Sequence, residues 1–262
     1  MFCLSNFYSS LFSAEPTDLA VCSSLLDNVT STLDHDQAAL CEGLLSVKEC
    51  FAALQGMARS KATRLDGLPM EFHFKFWDVL GANLVAVLNL CFDSGSLSLS
   101  QRRGVISLFF KKGDRLDPRN WRPITLLNVD YKIASRAIAG RLLKVIHLVV
   151  DKDQTCGVPG HFIGENVALL RDVVDFASFS GTQVAVLSLD QEKAFDCVDW
   201  SFMRTTLSAM GFGPSFISWV DLFYHCVQSS INLNGYLSPF FCPFPWFEAG
   251  LPAVSTFVCF SL

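Results

Sequence analysis

The run VAVLSLDQEKAFD, Val184 to Asp196, decides the fold. Val184 to Leu189 is short, apolar and rich in branched side chains, the composition of a buried strand, and it puts Asp190 at the strand's C-terminal edge. A carboxylate held there is fixed by the sheet yet open to solvent, which is how a metal-binding aspartate is best positioned. Alone, the pattern more often marks a helix cap or a turn. What lifts it above that reading is a basic segment upstream. Between Gln101 and Val150, eleven Lys or Arg stand against three acids, Asp114, Asp117 and Asp130, so this stretch carries +8 in a chain of net charge −5. Such a concentration suggests an anionic partner, nucleic acid or nucleotide phosphate first. A solvated helical face is the alternative.

Working outward, Gly104 to Phe110 has the length and residue types of a strand, Lys111-Lys112-Gly113-Asp114 is the turn after it, and Trp121 to Leu127 reads as the return strand. Tyr131 to about Val149 is a basic helix with Ile133, Ala137 and Leu142 inward and Arg136, Arg141 and Lys144 left for solvent or phosphate. A Gly- and Pro-rich loop, Asp151 to Gly164, leads to a helix around Asn166 to Phe176. Upstream, Ser46 and Glu49 form a capping box that opens a helix with Val47, Phe51, Leu54 and Ala58 on one face. Pro69 starts a longer helix, striped by Phe72, Phe76, Leu80, Leu84 and Leu88 and ended at Ser94-Gly95. Downstream, Trp200, Met203, Leu207 and Met210 form one helical stripe, and Pro214 opens a helix with Phe216, Val220 and Tyr224 inward. Ser229 to Phe241 is a hairpin turning at Asn234-Gly235.

With 262 residues, 51% of them apolar and 17% charged, the chain can bury a sizeable core, which excludes a disordered tail or a disulfide-stapled miniprotein. Its ten cysteines form no C-x-x-C pair and its five histidines no H-x-x-x-H pair, so they read as core residues of a reducing compartment rather than zinc ligands. The best apolar run, Val79 to Phe92, is interrupted by Gly81, Asn83 and Asn89, so no membrane span is expected. The N-terminus lacks the basic start of a signal peptide, which favours the cytosol or nucleus. No hydrolase elbow, P-loop or dinucleotide fingerprint is present.

The run VLSLDQEKAFDCVDW, preceded by KKGDRLDPRNWRPITLLN, DYKIASRAIAGRL and DQTCGVPG, and further upstream by FYSSLF and LDGLPMEFHFKFW, resembles the reverse transcriptases of non-LTR (LINE-type) retrotransposons. The resemblance runs in consistent order from about Phe2 to Phe241. It implies an α+β fold with reverse transcriptase-like fingers and an incomplete palm, helices packed on a small antiparallel sheet. By the resemblance, Asp190 is the first metal aspartate and the Gln191 carbonyl helps hold the same Mg²⁺. Phe195 is the gate against a ribose 2′-OH, and Lys111, Lys112 and Arg122 clamp the incoming triphosphate. Gln154 and Gly157 lie along the template. The implied partners are an RNA template, a DNA primer and deoxynucleoside triphosphates, with no membrane.

The implied organisation is a helical region over 1–60, fingers over 61–182 and a partial palm over 183–244, including the hairpin. The family's second carboxylate source, an aromatic-Ala-Asp-Asp turn, is not found in these residues. Where the family continues with a motif of the form R-G-hydrophobic-R-Q-G-C-P-L-S-P, residues 245–262 read otherwise, yet their back-translated codons accommodate that motif when read one base along. Those residues are therefore expected to be a frameshifted tail. His161 and Cys197 stand where relatives are expected to carry Arg, which removes positive charge from a nucleic-acid surface. A polymerase that is inactive alone and a non-catalytic nucleic-acid-binding remnant are the two leading readings, and a translated relic that does not fold stably is a third. Binding that persists in EDTA marks the second, nucleotide incorporation the first.

Overall fold

Residues 103–107 and 228–232 lie side by side in the computed structural model, which describes residues 2–11, 18–61, 65–155, 157–189 and 198–242. These segments belong to β1 (Arg103–Phe110) and β3 (Gln228–Leu233), which pair in parallel. β2 (Trp121–Leu127) flanks β1 and β4 (Tyr236–Leu237) flanks β3, both antiparallel, giving the order β2-β1-β3-β4. The expected α+β architecture with a small sheet is present, but the sheet is mixed, not purely antiparallel. Helices separate β1 from β3 along the chain, and such a crossover permits the parallel pair. The hairpin expected of the palm thus shares a sheet with the strands expected of the fingers. Its turn has left-handed Asn234 and Gly235, φ 53° and 87°, as a tight two-residue hairpin requires.

Four N-terminal helices, α1 (Phe2–Leu11), α2 (Leu19–Leu26), α3 (His35–Ala39) and α4 (Val47–Gln55), precede α5 (Met70–Lys75) and α6 (Trp77–Ser94). The capping box of α4 forms: Ser46 Oγ accepts from the Glu49 amide and Glu49 Oε1 accepts from the Ser46 amide at 2.6 Å. Its buried face is Cys50, Ala53 and Leu54, while Val47 is exposed and Ala58 lies beyond the helix. The single long helix expected from Pro69 is two, broken at Phe76, where φ −104° and ψ 17° leave the helical region. Its buried stripe is Met70, His73, Trp77, Gly81, Val85 and Leu88, about one residue out of phase with the expected one.

The core forms where α4 and α6 meet α7 (Val129–Val149), α9 (Trp200–Ala209) and α10 (Pro214–Tyr224). Trp219, fully buried, stacks on Phe92 at 4.4 Å between ring centres, and the Tyr131 hydroxyl donates to the Phe223 carbonyl at 2.9 Å. Glu42 caps α10 from a distance, accepting from the Ser215 and Phe216 amides at 3.0 and 2.9 Å. A smaller cluster on the sheet joins Tyr8 of α1 to Ile106 and Ile231. Among the described residues no helix is long and apolar enough to cross a membrane.

One expected strand is not there. Residues 182–189 have no regular structure, and Val184, Val186, Leu187 and Leu189 are exposed. An apolar run becomes a strand only where an edge accepts its hydrogen bonds. The two central strands offer none, since β1 lies between β2 and β3, and β3 is bordered by β4 and by the Ser229–Phe241 bridge. The run does not join the outer edge of β2. Helix α8 (Ile163–Ser180), just before it, buries only Ala177 and exposes Ile163, Val167, Phe176 and Phe179.

Candidate nucleotide and nucleic-acid interface

The β1–β2 hairpin carries a cationic tip on a rigid base. The Lys111 amide donates to the Asn120 carbonyl at 2.8 Å, and Asn120 Nδ2 donates to the Asp114 carbonyl at 2.9 Å. Gly113 sits at φ 90°, and a Cβ there would lie 2.7 Å from Asn120 Nδ2, so the turn needs glycine. Trp121 Nε1 donates to the Arg115 carbonyl at 2.9 Å, while the Arg115 guanidinium lies over the Phe110 ring at 5.0 Å. These links fix the direction of both strands where they leave the sheet.

Within that frame the cations divide. Arg119 is bound to Asp117 through Nε at 3.0 and 3.1 Å and Nη2 at 2.9 Å, and these hydrogen bonds hold the Asp117 carboxyl below its usual range. Among the described residues no ion pair engages Lys111, Lys112 or Arg122, and all three are exposed. The register sets Arg122 opposite Phe109, so the two share a face of the hairpin, and Lys111 extends the same row by two residues. The tip therefore offers three uncommitted charged donors beside an exposed aromatic ring, chemistry suited to phosphate oxygens.

The other expected positions lie elsewhere. Gln154 is in the loop after α7, where its carbonyl accepts from His161 Nδ1 at 2.9 Å. It lines a cavity of about 580 Å³ with Asn28, Thr30, Asp151 and Asp153, and none of the hairpin residues lines that cavity. Gly157 adopts φ 76°. Asp190, Gln191 and Phe195 fall outside the described residues, as does 245–262. Among the described residues no group of three His, Cys, Asp or Glu could hold a metal ion.

Arg141, expected to face solvent or phosphate, is instead buried at 5% exposure. Its Nε and Nη2 donate to the two carboxylate oxygens of Glu49 at 2.8 Å each. The same guanidinium also donates to the carbonyls of Cys41, Glu42, Gly43 and Leu44, at 3.1, 3.2, 2.8 and 2.7 Å. Four of its acceptors are main-chain atoms, which leave no signature in a sequence, so by sequence alone the residue is one more cation on a basic helix. Burial opposes ionisation of Glu49, but the hydrogen bonds from Arg141 and Ser46 outweigh it and hold the carboxyl below its usual range.

A basic hairpin in a mixed sheet, backed by helices, is compatible with the polymerase fold that the sequence resembles. The profile of the family described as reverse transcriptase (RNA-dependent DNA polymerase) matches residues 110–244, and the chain belongs to that family. It is 42% identical over 229 residues to the Transposon TX1 uncharacterized 149 kDa protein of Xenopus laevis, covering 87% of this chain and 17% of that protein. The Pol polyprotein of a type-1 retrotransposable element R2 from Popillia japonica is 30% identical over 105 residues, 40% of this chain and 14% of that protein. The counterpart from the type-2 element R2DM of Drosophila melanogaster is 25% identical over 169 residues, 64% of this chain and 16% of that protein. Within the family the chain is thus of the non-LTR, LINE-type retrotransposon kind. It spans between 14% and 17% of the length of these relatives.

Proposed function

We propose that this chain supplies the fingers and the first palm segment of an RNA-directed DNA polymerase of a LINE-type retroelement. Lys111, Lys112 and Arg122 bind the triphosphate of an incoming deoxynucleotide, Gln154 and Gly157 follow the template, and Phe195 rejects a ribose 2′-OH. Family membership and the cationic tip support this reading. The single observation that carries it is the contrast at the hairpin: Arg119 is consumed by Asp117, while Lys111, Lys112 and Arg122 are exposed and held by no ion pair among the described residues.

The family uses a divalent metal, and Asp190 with the Gln191 carbonyl would contribute to one ion. Two-metal phosphoryl transfer needs carboxylates from two segments, and these residues contain only the first. The donor set does not fit a complete two-metal centre, so no catalytic step is derived through it. The chain alone is expected to bind nucleotide and nucleic acid without extending a primer.

The test pairs two readouts on the purified chain. Binding of a deoxynucleoside triphosphate should weaken at least about tenfold in Lys111→Ala/Lys112→Ala, since each lost charge-assisted contact is worth ~1.5 kcal/mol or more. Primer extension on an RNA template with Mg²⁺ should be undetectable. Extension that disappears in Asp190→Ala would overturn the claim of inactivity, and triphosphate binding indifferent to the lysines would overturn the assignment of the tip.

A further inference from the structure

The exposed side of α7 carries a second cationic feature, on a different element from the hairpin tip. Between Tyr131 and Val149 the helix has no acidic residue. Its outward positions include Lys132, Arg136, Gly140, Lys144 and His147, while the side facing the core is buried. From Lys132 to Lys144 the members of this row stand four residues apart, an advance of about 6 Å each. That step is comparable with the separation of neighbouring phosphates along an extended polynucleotide.

Gly140 leaves the row open at its middle, since a Cβ built there would meet nothing within 4 Å. Beside it, α4 contributes Ala52 and Gly56, and the two helices enclose a groove of about 480 Å³ flanked by Arg136 and Lys144. Among the described residues the only acid lining this groove, Glu49, is already paired with Arg141, so the lining carries a net positive charge. Among the described residues no aromatic side chain lines it, which leaves backbone contact without base stacking.

We propose that the α4–α7 groove is a binding track for the phosphate backbone of a single-stranded nucleic acid, distinct from the triphosphate tip. It needs neither a metal nor a catalytic carboxylate, so it does not rest on the polymerase reading. Arg136 and Lys144, about 12 Å apart along the helix, contact phosphates two apart in the strand on either side of Gly140, and the bare helix surface between them admits the intervening nucleotide's backbone. Recognition is independent of base sequence.

The experiment measures fluorescence anisotropy of a labelled oligouridylate of about 15 nucleotides with the full chain in EDTA, over a salt series. Each phosphate contact on a single strand contributes about 0.7 to the slope of log affinity against log salt. Arg136→Ala/Lys144→Ala should therefore lower the slope by about 1.4 and weaken binding roughly 25-fold near 0.1 M salt. Gly140→Asp, which places a carboxylate on exposed helix surface, should weaken binding in the same direction. Circular dichroism checks that each variant is folded. Lys111→Ala/Lys112→Ala should keep most of the slope while losing triphosphate. If the hairpin variant abolishes the slope and the α7 variants leave it intact, the track is not on α7 and the proposal fails. It fails equally if a polyglutamate of similar length displaces the RNA at equal concentration, because the groove would then favour acidic peptides.

Discussion

Replacing Arg141 with alanine removes one guanidinium and strands six acceptors: both oxygens of Glu49 and the carbonyls of Cys41, Glu42, Gly43 and Leu44. Breaking a buried ion pair from one side costs about 3–5 kcal/mol. Glu49 keeps 25% of its side chain in solvent, so water can recover part of its loss, and the lower end, about 3 kcal/mol, applies. That is a large share of the ~5–15 kcal/mol by which domains are usually stable. Urea titration at neutral pH should move the midpoint down by about 1 M. The pH dependence follows from Glu49, whose folded-state carboxyl is held below its usual range. A lowered folded value means that the contribution is complete above the unfolded value, about 4.3, and is lost as pH falls through the folded one. The gap between wild type and variant should therefore narrow as the solution is acidified below about pH 4. Arg141→Lys keeps the charge but cannot fork across six acceptors, and should recover only part of the loss. A destabilisation under about 1 kcal/mol would refute this account, because surface pairs reach that size without burial. So would a gap that stays constant into acid.

Cys41 and Cys50 should resist alkylation in the folded chain, because burial raises their thiols to about 11 and about 12, while exposed Cys226 and Cys242 should react. Mass spectrometry of the chain labelled before and after denaturation checks the order. Gly211 sits at φ 84° with the Leu33 carbonyl 2.8 Å from where a Cβ would stand, whereas Gly95, at φ 68°, has open space. Gly95→Ala should cost only the left-handed backbone penalty of about 1 kcal/mol, and Gly211→Ala clearly more, both read from thermal or urea unfolding. Equal costs would show that the Leu33 loop yields without strain.

Several elements were legible in the residues because their signals are local. Ser46 and Glu49 announce α4, Pro214 opens α10, Gly95 closes α6, and Asn234-Gly235 turns the hairpin. The cationic tip was legible for the same reason, since Lys111 to Asp114 is a turn between two strand-like runs. What could not be read depends on partners far along the chain. The parallel pairing of β1 with β3 is a matter of register between remote segments, and the fate of Arg141 depends on main-chain carbonyls a hundred residues away. Val184 to Leu189 has the residues of a strand but joins no strand among the described residues, which composition alone does not reveal. Asp190 lies outside the described residues.

The pairing of Arg103 with Gln228 spans 125 positions, which sets the timetable of folding. Closing a loop of that length costs about 4 kcal/mol in chain entropy before any contact across it is gained. On a ribosome adding ~5–20 residues per second, on the order of ten seconds separate the synthesis of β1 from that of β3. During that interval the β1–β2 hairpin can form, but one edge of β1 stays unpaired, and Ile106 lacks the contact with Ile231 that completes its cluster. The nascent chain is then most open to edge-to-edge association. Its yield should depend on how quickly β3 arrives, more than on how stable the finished sheet becomes.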